Sequence, residues 1–179
     1  MKKLILLLVL FLSTSLLPGF CANSMKIGGA SFKPSAPLIL NKIGDGATVS
    51  FAGTKERRVG TVNFIFQRLV SQIVEGAEFN VVTAGNGEDG KVSIIFLDQS
   101  ITGRGKVTAI TTDEQSTTTG KIKIISVNPD GNFTFSINVE VSNALRRVTN
   151  PLSGDLNGTD SRNKGIVKLS GTLTTVSLP

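Results

Sequence analysis

Apolar and polar residues alternate along much of the chain with a period of two, which is typical of β-strands that bury one face. In NFTFSINVEV, residues 132–141, the odd-numbered positions from Phe133 to Val141 are apolar and the others are polar. The preceding NPDG, residues 128–131, has the proline and glycine of a tight turn. Before it, KIKIISV alternates until Ile124 and Ile125 stand side by side, which predicts a β-bulge. We therefore expect a hairpin over residues 121–141.

Similar short runs recur along the chain, separated by turn-forming residues. They are ATVSFAG (47–53), AEFNVVTA (77–84), KVSIIFLD (91–98), GKVTAITT (105–112) and GIVKLSGTLTTVSL (165–178). This spacing predicts an all-β, mainly antiparallel fold, either a β-sandwich or a barrel-like domain. The consecutive hairpins predict an antiparallel meander through residues 77–141.

One segment has helical spacing. In NFIFQRLVSQIVEG, residues 63–76, Phe66, Leu69, Val70 and Ile73 fall on one helical stripe, and a glycine follows. The pattern predicts a strand from about Thr61 that continues into one short helix ending near residue 75.

The N-terminus has the pattern of a secretory signal peptide: two lysines, an apolar run from Leu4 to Leu12, and small residues before a cleavage point after Ser24. We expect residues 1–24 to be removed together with Cys21. The alternative is lipid attachment at Cys21, but a phenylalanine directly before it fits that signal poorly. Lipidation would be the one route to membrane contact.

Residues 25–46 are predicted as an extended arm or an edge strand, and residues 47–179 as a single antiparallel β domain.

The amino-acid composition limits the kinds of catalytic, metal and nucleic-acid sites that the chain can form. After cleavage the chain has no histidine, cysteine, tryptophan or tyrosine, which excludes a histidine-based triad and a thiolate or imidazole metal site. Loss of Lys2 and Lys3 from 19 basic residues leaves 17, against 13 acidic ones. The basic clusters at 55–58 and 145–147 have no interleaved aromatics, so we expect no nucleic-acid binding. We predict that the protein is not an enzyme.

The segment TNPLSGDLNGTDSRNKG, residues 149–165, is predicted as a long loop. Asp155, Asn157 and Asp160 are oxygen donors spaced loosely as in a calcium loop, although no glutamate follows at the required spacing. They form a weak metal-site candidate, and we expect no other cofactor. The alternative is a plain surface connection or a recognition surface.

These features predict a secreted or periplasmic protein of the bacterial cell envelope. One interpretation is a structural, adhesive or protein-binding module, whose arm would add as a strand to a protein partner or to a second copy. The other is a carrier of a small apolar ligand, in which the strand at 91–98 and the short helix would line a cavity.

Overall fold

The computed structural model describes residues 23–83, 90–103 and 105–176, and of residues 155–157 the backbone alone. The predicted signal peptide and Cys21 therefore lie outside the described residues, apart from the last two positions before the expected cleavage point. The described strands are β1 (Ser24–Ile27), β2 (Ala30–Pro34), β3 (Leu38–Ile43), β4 (Gly46–Lys55), β5 (Arg58–Phe66), β6 (Glu78–Thr83), β7 (Val92–Ile101), β8 (Val107–Thr111), β9 (Thr117–Val127), β10 (Phe133–Ser142), β11 (Leu145–Asn150), β12 (Asp155–Arg162) and β13 (Val167–Val176).

The structure is all-β and forms one large mixed sheet, which confirms the predicted fold class at that level. The alternation of apolar and polar residues matches the burial in the strands. In β10, every odd-numbered residue from Phe133 to Val141 is buried. The predicted hairpin is confirmed, because β9 and β10 pair along their whole length. The predicted bulge is confirmed too, since Ser126 pairs with Thr134 and Ile124 with Phe135, leaving Ile125 between them.

The strand pairings return to their starting point. They run from β4 through β5, β7, β6, β9, β10, β13 and β3 back to β4. The β6–β7 and β3–β13 pairs are parallel and short, and the other pairs are antiparallel. We call this circuit of eight strands the closed circuit.

Residues 25–46, predicted as an extended arm or an edge strand, hold most of β1 together with β2 and β3. β1 lies between β2 and β13, and β3 lies between β4 and β13. Met25, Ile27 and Phe32 are buried. The segment is therefore part of the sheet and of the core.

The predicted meander through residues 77–141 is wrong. β6 pairs in parallel with the first half of β7, and β8 pairs with β11 instead of β9. β8 pairs with the second half of β7, β11 pairs with β8, and β12 pairs with β11. All three strands lie outside the closed circuit. We call β8, β11 and β12 the lateral sheet.

The predicted helix over residues 64–75 is also wrong. β5 continues to Phe66, and the segment after it contains only a 3-10 turn at Val70–Gln72. The even residues Val62, Phe64 and Phe66 are all buried, and β5 pairs with both β4 and β7 to its end. A helix starting there would lose two ladders of backbone hydrogen bonds. In the described residues, no helix is long and apolar enough to cross a membrane.

The core is one contiguous cluster of buried side chains, most of them from strands of the closed circuit. Its centre is a set of phenylalanines. Phe66 makes edge-to-face contacts with Phe79, Phe133 and Phe135 at ring-centroid distances of 6.0, 5.7 and 6.3 Å. Phe64 contacts Phe135 in the same way at 5.3 Å. Such contacts add stability beyond the area that the rings bury.

Candidate functional site

The lateral sheet differs from the closed circuit in its exposure. Every residue of β8 is half-buried, as are all residues of β11 except the exposed Arg147. Neither strand shows the alternation of β10, and the two strands contact the core only through the partly buried Ile110 of β8. A sheet with two partly wet faces has surface available for contact with another molecule.

The outer edge of the lateral sheet is β12, which has no second neighbour among the described strands. The N–H of Asn163 donates to the carbonyl oxygen of Ala144 at 2.8 Å, toward the β11 side. Backbone groups point to opposite sides at successive residues of a strand. The N–H and C=O groups of Asp160 and Arg162 therefore point away from β11, to the free edge.

Two ion pairs brace the lateral sheet. The Arg147 guanidinium donates to both carboxylate oxygens of Asp160 at 2.7 Å, and this hydrogen bond lowers the pKa of Asp160 from its ordinary value. Arg162 binds Asp113 at 2.7 Å and donates to the carbonyl oxygen of Asn143 at 3.2 Å. Burial raises the pKa of Asp113, but hydrogen bonds from Arg162 and Ser116 outweigh it, so that pKa is lowered.

The segment predicted as a long loop is instead a hairpin, so that prediction is wrong. It consists of β11, a 3-10 turn at Pro151–Ser153 and β12, with Gly154 in the left-handed conformation that closes the turn. Of the three calcium candidates, Asp160 is occupied by Arg147. The side chains of Asp155 and Asn157 lie outside the described residues. Within the described part of the chain no three acidic side chains cluster as metal ligands, and the calcium site stays a prediction.

Three turns meet at one end of the molecule: the β4–β5 turn (55–58), the β7–β8 loop (102–106) and the β11–β12 turn (151–154). The N–H of Ile101 donates to the carbonyl oxygen of Arg57 at 3.0 Å, which joins the first two. Leu152 of the β11–β12 turn packs over Gly105 of the β7–β8 loop, so this turn is joined to the other two. A Cβ added to Gly105 would lie 2.3 Å from Leu152 Cδ1.

Between the first two turns lies an open cavity of about 590 Å³, which we call the groove. Its apolar surface comes from Val59 and Ile101, which are 45% and 51% exposed. Its polar rim comes from Thr54, Glu56, Arg57, Gln99 and Thr102. Val59 pairs with Gln99, two residues from Ile101, so both apolar side chains lie on the outer face of the sheet.

The two arginines at the groove have different roles. Arg58 turns inward, where its guanidinium binds both carboxylate oxygens of the buried Asp98 and lies 5.4 Å from the centroid of the Phe32 ring. Arg57 is exposed and has no ion-pair partner among the described residues. One guanidinium is therefore structural, and the other is available to a ligand.

Sequence reasoning missed the groove. The basic cluster at 55–58 is predicted only not to bind nucleic acid, and nothing in the sequence connects it with Ile101. The one available signal was Val59, an apolar residue at an outward position of β5. A single such residue is common on protein surfaces, and only the β5–β7 pairing brings it beside Ile101.

No family model, no curated protein and no solved structure matches the chain. The lateral sheet and the groove are therefore the features that point to a function.

Proposed function

We propose that the protein is a secreted or periplasmic bacterial β-domain that acts as a structural, adhesive or protein-binding module without catalysis. We further propose that its strands form a barrel-like body, with the lateral sheet as the contact surface. The observation that carries this proposal is the free edge of β12, at the end of a sheet that leaves the closed circuit and has two half-exposed faces.

Strand addition is the mode of contact that this edge favours. An extended segment of a partner gains main-chain hydrogen bonds to the outward groups of Asp160 and Arg162. Charged side chains on an edge strand usually oppose such pairing. Here both charges are neutralised by ion pairs with Arg147 and Asp113. Because residues 25–46 already pair within the molecule, we place strand addition at β12 and not at the predicted arm.

Three carboxylates support a role without catalysis. A general acid needs a raised pKa, whereas Glu78, Asp113 and Asp160 all have lowered ones. The pKa of Glu78 is lowered mainly by a hydrogen bond from Lys121, whose Nζ lies 2.9 Å from Oε2. Carboxylates held ionised by cations brace strands and are poor proton donors.

The alternative, a carrier of a small apolar ligand, is less well supported. A carrier needs room inside the sheet, and the phenylalanines at the centre of this core contact each other directly. An organic extract of purified protein, compared with a blank, tests this alternative. A stoichiometric apolar compound in the extract would favour the carrier.

The location is proposed from the signal-peptide pattern of residues 1–24. The intact mass of protein from separated soluble and membrane fractions tests it. A mass that matches residues 25–179 in the soluble fraction supports cleavage and release. A mass that begins at Cys21 and includes acyl chains, in the membrane fraction, would instead place the domain on a lipid anchor.

The edge is tested with two variants of the mature chain at Asp160. Asp160→Pro removes the outward N–H, whereas Asp160→Ala keeps it and loses the carboxylate equally. We expect native mass spectrometry well above micromolar concentration, or cross-linking in cells, to show a complex with the wild type and Asp160→Ala. Asp160→Pro should lose it. Only monomer with every protein, and no cross-linked partner, would count against the proposal.

A further inference from the structure

We propose that the groove binds an acidic peptide segment of a protein partner, with the partner's carboxylate on Arg57 and its apolar side chains on Val59 and Ile101. This inference rests on the proposed protein-binding function and adds the chemistry of the partner and a second point of contact.

The groove offers apolar surface to a partner. Val59 and Ile101 are about half exposed and face outward from adjacent strands. Covering them removes apolar area from water, which is favourable by about 25 cal/mol per Å². The volume of about 590 Å³ suits a few residues of an extended peptide.

The positive charge at the groove favours an acidic partner. Arg57 is an exposed guanidinium without an ion-pair partner in the described part of the chain, and Lys55 and Lys106 are exposed on the two turns beside it. Glu56 is the one carboxylate among the described lining residues. A guanidinium binds a carboxylate through two parallel hydrogen bonds, which gives both affinity and orientation.

The groove is held in shape before any partner arrives. Thr102 donates to the carbonyl oxygen of Lys106 from its N–H at 2.8 Å and from its hydroxyl at 3.1 Å. The Ile101–Arg57 hydrogen bond ties this loop to the β4–β5 turn. A preorganised site loses less conformational entropy on binding, so a small contact area is sufficient.

The groove fits a peptide better than the other anionic ligands of an envelope. A sugar platform needs aromatic rings, and none lines the groove among the described residues. A fatty acid needs an enclosed apolar pocket, whereas this cavity is open. Thr54, Gln99 and Thr102 offer hydrogen bonds to a peptide backbone beside the apolar surface.

The test uses the chain 25–179 and three fluorescein-labelled hexapeptides, which alternate leucine with glutamate, leucine with lysine, and serine with glutamate. We expect the leucine–glutamate peptide to bind best in fluorescence anisotropy. Amide chemical shifts should change at residues 54–59, 99–103 and 105. Arg57→Gln should weaken binding about tenfold, because a charge-assisted hydrogen-bond pair is lost. Ile101→Thr should weaken it about fivefold.

Matched controls come from outside the groove. Lys164→Gln removes one exposed positive charge, and Ile166→Thr changes an isoleucine that is 57% exposed, close to Ile101 at 51%. Neither should change binding. Equal binding of the leucine–lysine peptide, no binding of the leucine–glutamate peptide, or unchanged binding by Arg57→Gln would overturn the inference.

The edge variants separate this inference from the proposed function. Asp160→Pro should leave binding of the leucine–glutamate peptide unchanged, and Arg57→Gln should leave any complex formed through β12 unchanged. If Asp160→Pro abolishes peptide binding and Arg57→Gln does not, the peptide adds to the edge, and the groove assignment is wrong while strand addition stands.

Discussion

At Gly120, the backbone conformation and the neighbouring strand decide which residue types the fold tolerates. It lies in β9 opposite Val139 and has a φ of +123°. A Cβ added there would lie 2.2 Å from the carbonyl oxygen of Asn138, which is backbone and cannot turn away. The β9–β10 hairpin, the longest local pairing in the fold, therefore depends on a position without a side chain.

Gly120→Ala should destabilise the protein by about 1–3 kcal/mol, because the alanine is strained at this φ and clashes with β10. Urea unfolding measures the loss. Gly165→Ala is the matched control, since its Cβ would meet only Asn163 Nδ2 at 4.0 Å, and its stability should stay close to wild type. A Gly120→Ala protein as stable as Gly165→Ala would contradict this explanation.

The Arg58–Asp98 ion pair is a second place where single residues affect stability, because the carboxylate of Asp98 is buried. Arg58→Met leaves Asp98 without its cation, and we expect a loss of roughly 1–3 kcal/mol in urea unfolding. The double variant Arg58→Met, Asp98→Asn should recover part of the loss, because the unpaired charge is gone. Additive losses in the double variant would show that the two residues act independently.

Among the elements, the lateral sheet is held differently from the strands of the closed circuit. β10 buries every second side chain in the core, whereas β8 and β11 are half-exposed along their length. Ion pairs take over part of the role of apolar packing, and the Arg162–Asp113 pair joins the end of β12 to the segment between β8 and β9. Electrostatic bracing responds to pH, and apolar packing does not.

Arg162→Gln should lower the melting temperature at about pH 6 and change it little at about pH 2. The folded pKa of Asp113 is lowered from 3.8, so its ion pair contributes stability above that value and loses it as the pH falls through the folded pKa. Thermal unfolding of wild type and variant across this range measures the difference. A difference that stays constant between the two pH values would contradict a role for the ionised carboxylate.

At the scale of the whole molecule, the closed circuit includes a short seam between β3 and β13. The β3–β13 seam is two residue pairs, Thr175 with Leu38 and Val176 with Ile39. Thr175 is also buried, and its hydroxyl accepts a hydrogen bond from the Phe133 N–H at 2.9 Å. The seam is one of two connections between β13 and β4, because β1 pairs with β13, β2 pairs with β1, and β2 pairs with β4.

Truncation after Thr174 should destabilise the protein by roughly 1–3 kcal/mol, because it removes the seam and leaves the Phe133 N–H without its acceptor. Truncation after Val176 keeps both residue pairs and serves as the control. Differential scanning calorimetry of the two proteins measures the difference. Equal melting temperatures would mean that the seam adds nothing to closure.

Local features were predictable because neighbouring residues carry them. The β9–β10 hairpin and its bulge at Ile125 follow from alternation and one turn within residues 121–141. The helix prediction failed at Phe66 because the same apolar residues fit both a helical stripe and a strand, and pairing on both sides of β5 decided for the strand. The groove was not predictable, since Val59 and Ile101 are unremarkable until their strands pair.

The sequence by itself determined that this chain forms strands and, for β10, which face is buried, because each is a property of a residue and its near neighbours. The tertiary structure alone decided the strand order. β8 pairs with β11, which lies more than thirty residues further along the chain, and β6 pairs in parallel with β7. Every residue type except proline offers the same backbone N–H and C=O groups, so alternation sets the buried face of a strand but not its neighbour. The free edge of β12 and the groove follow from that order.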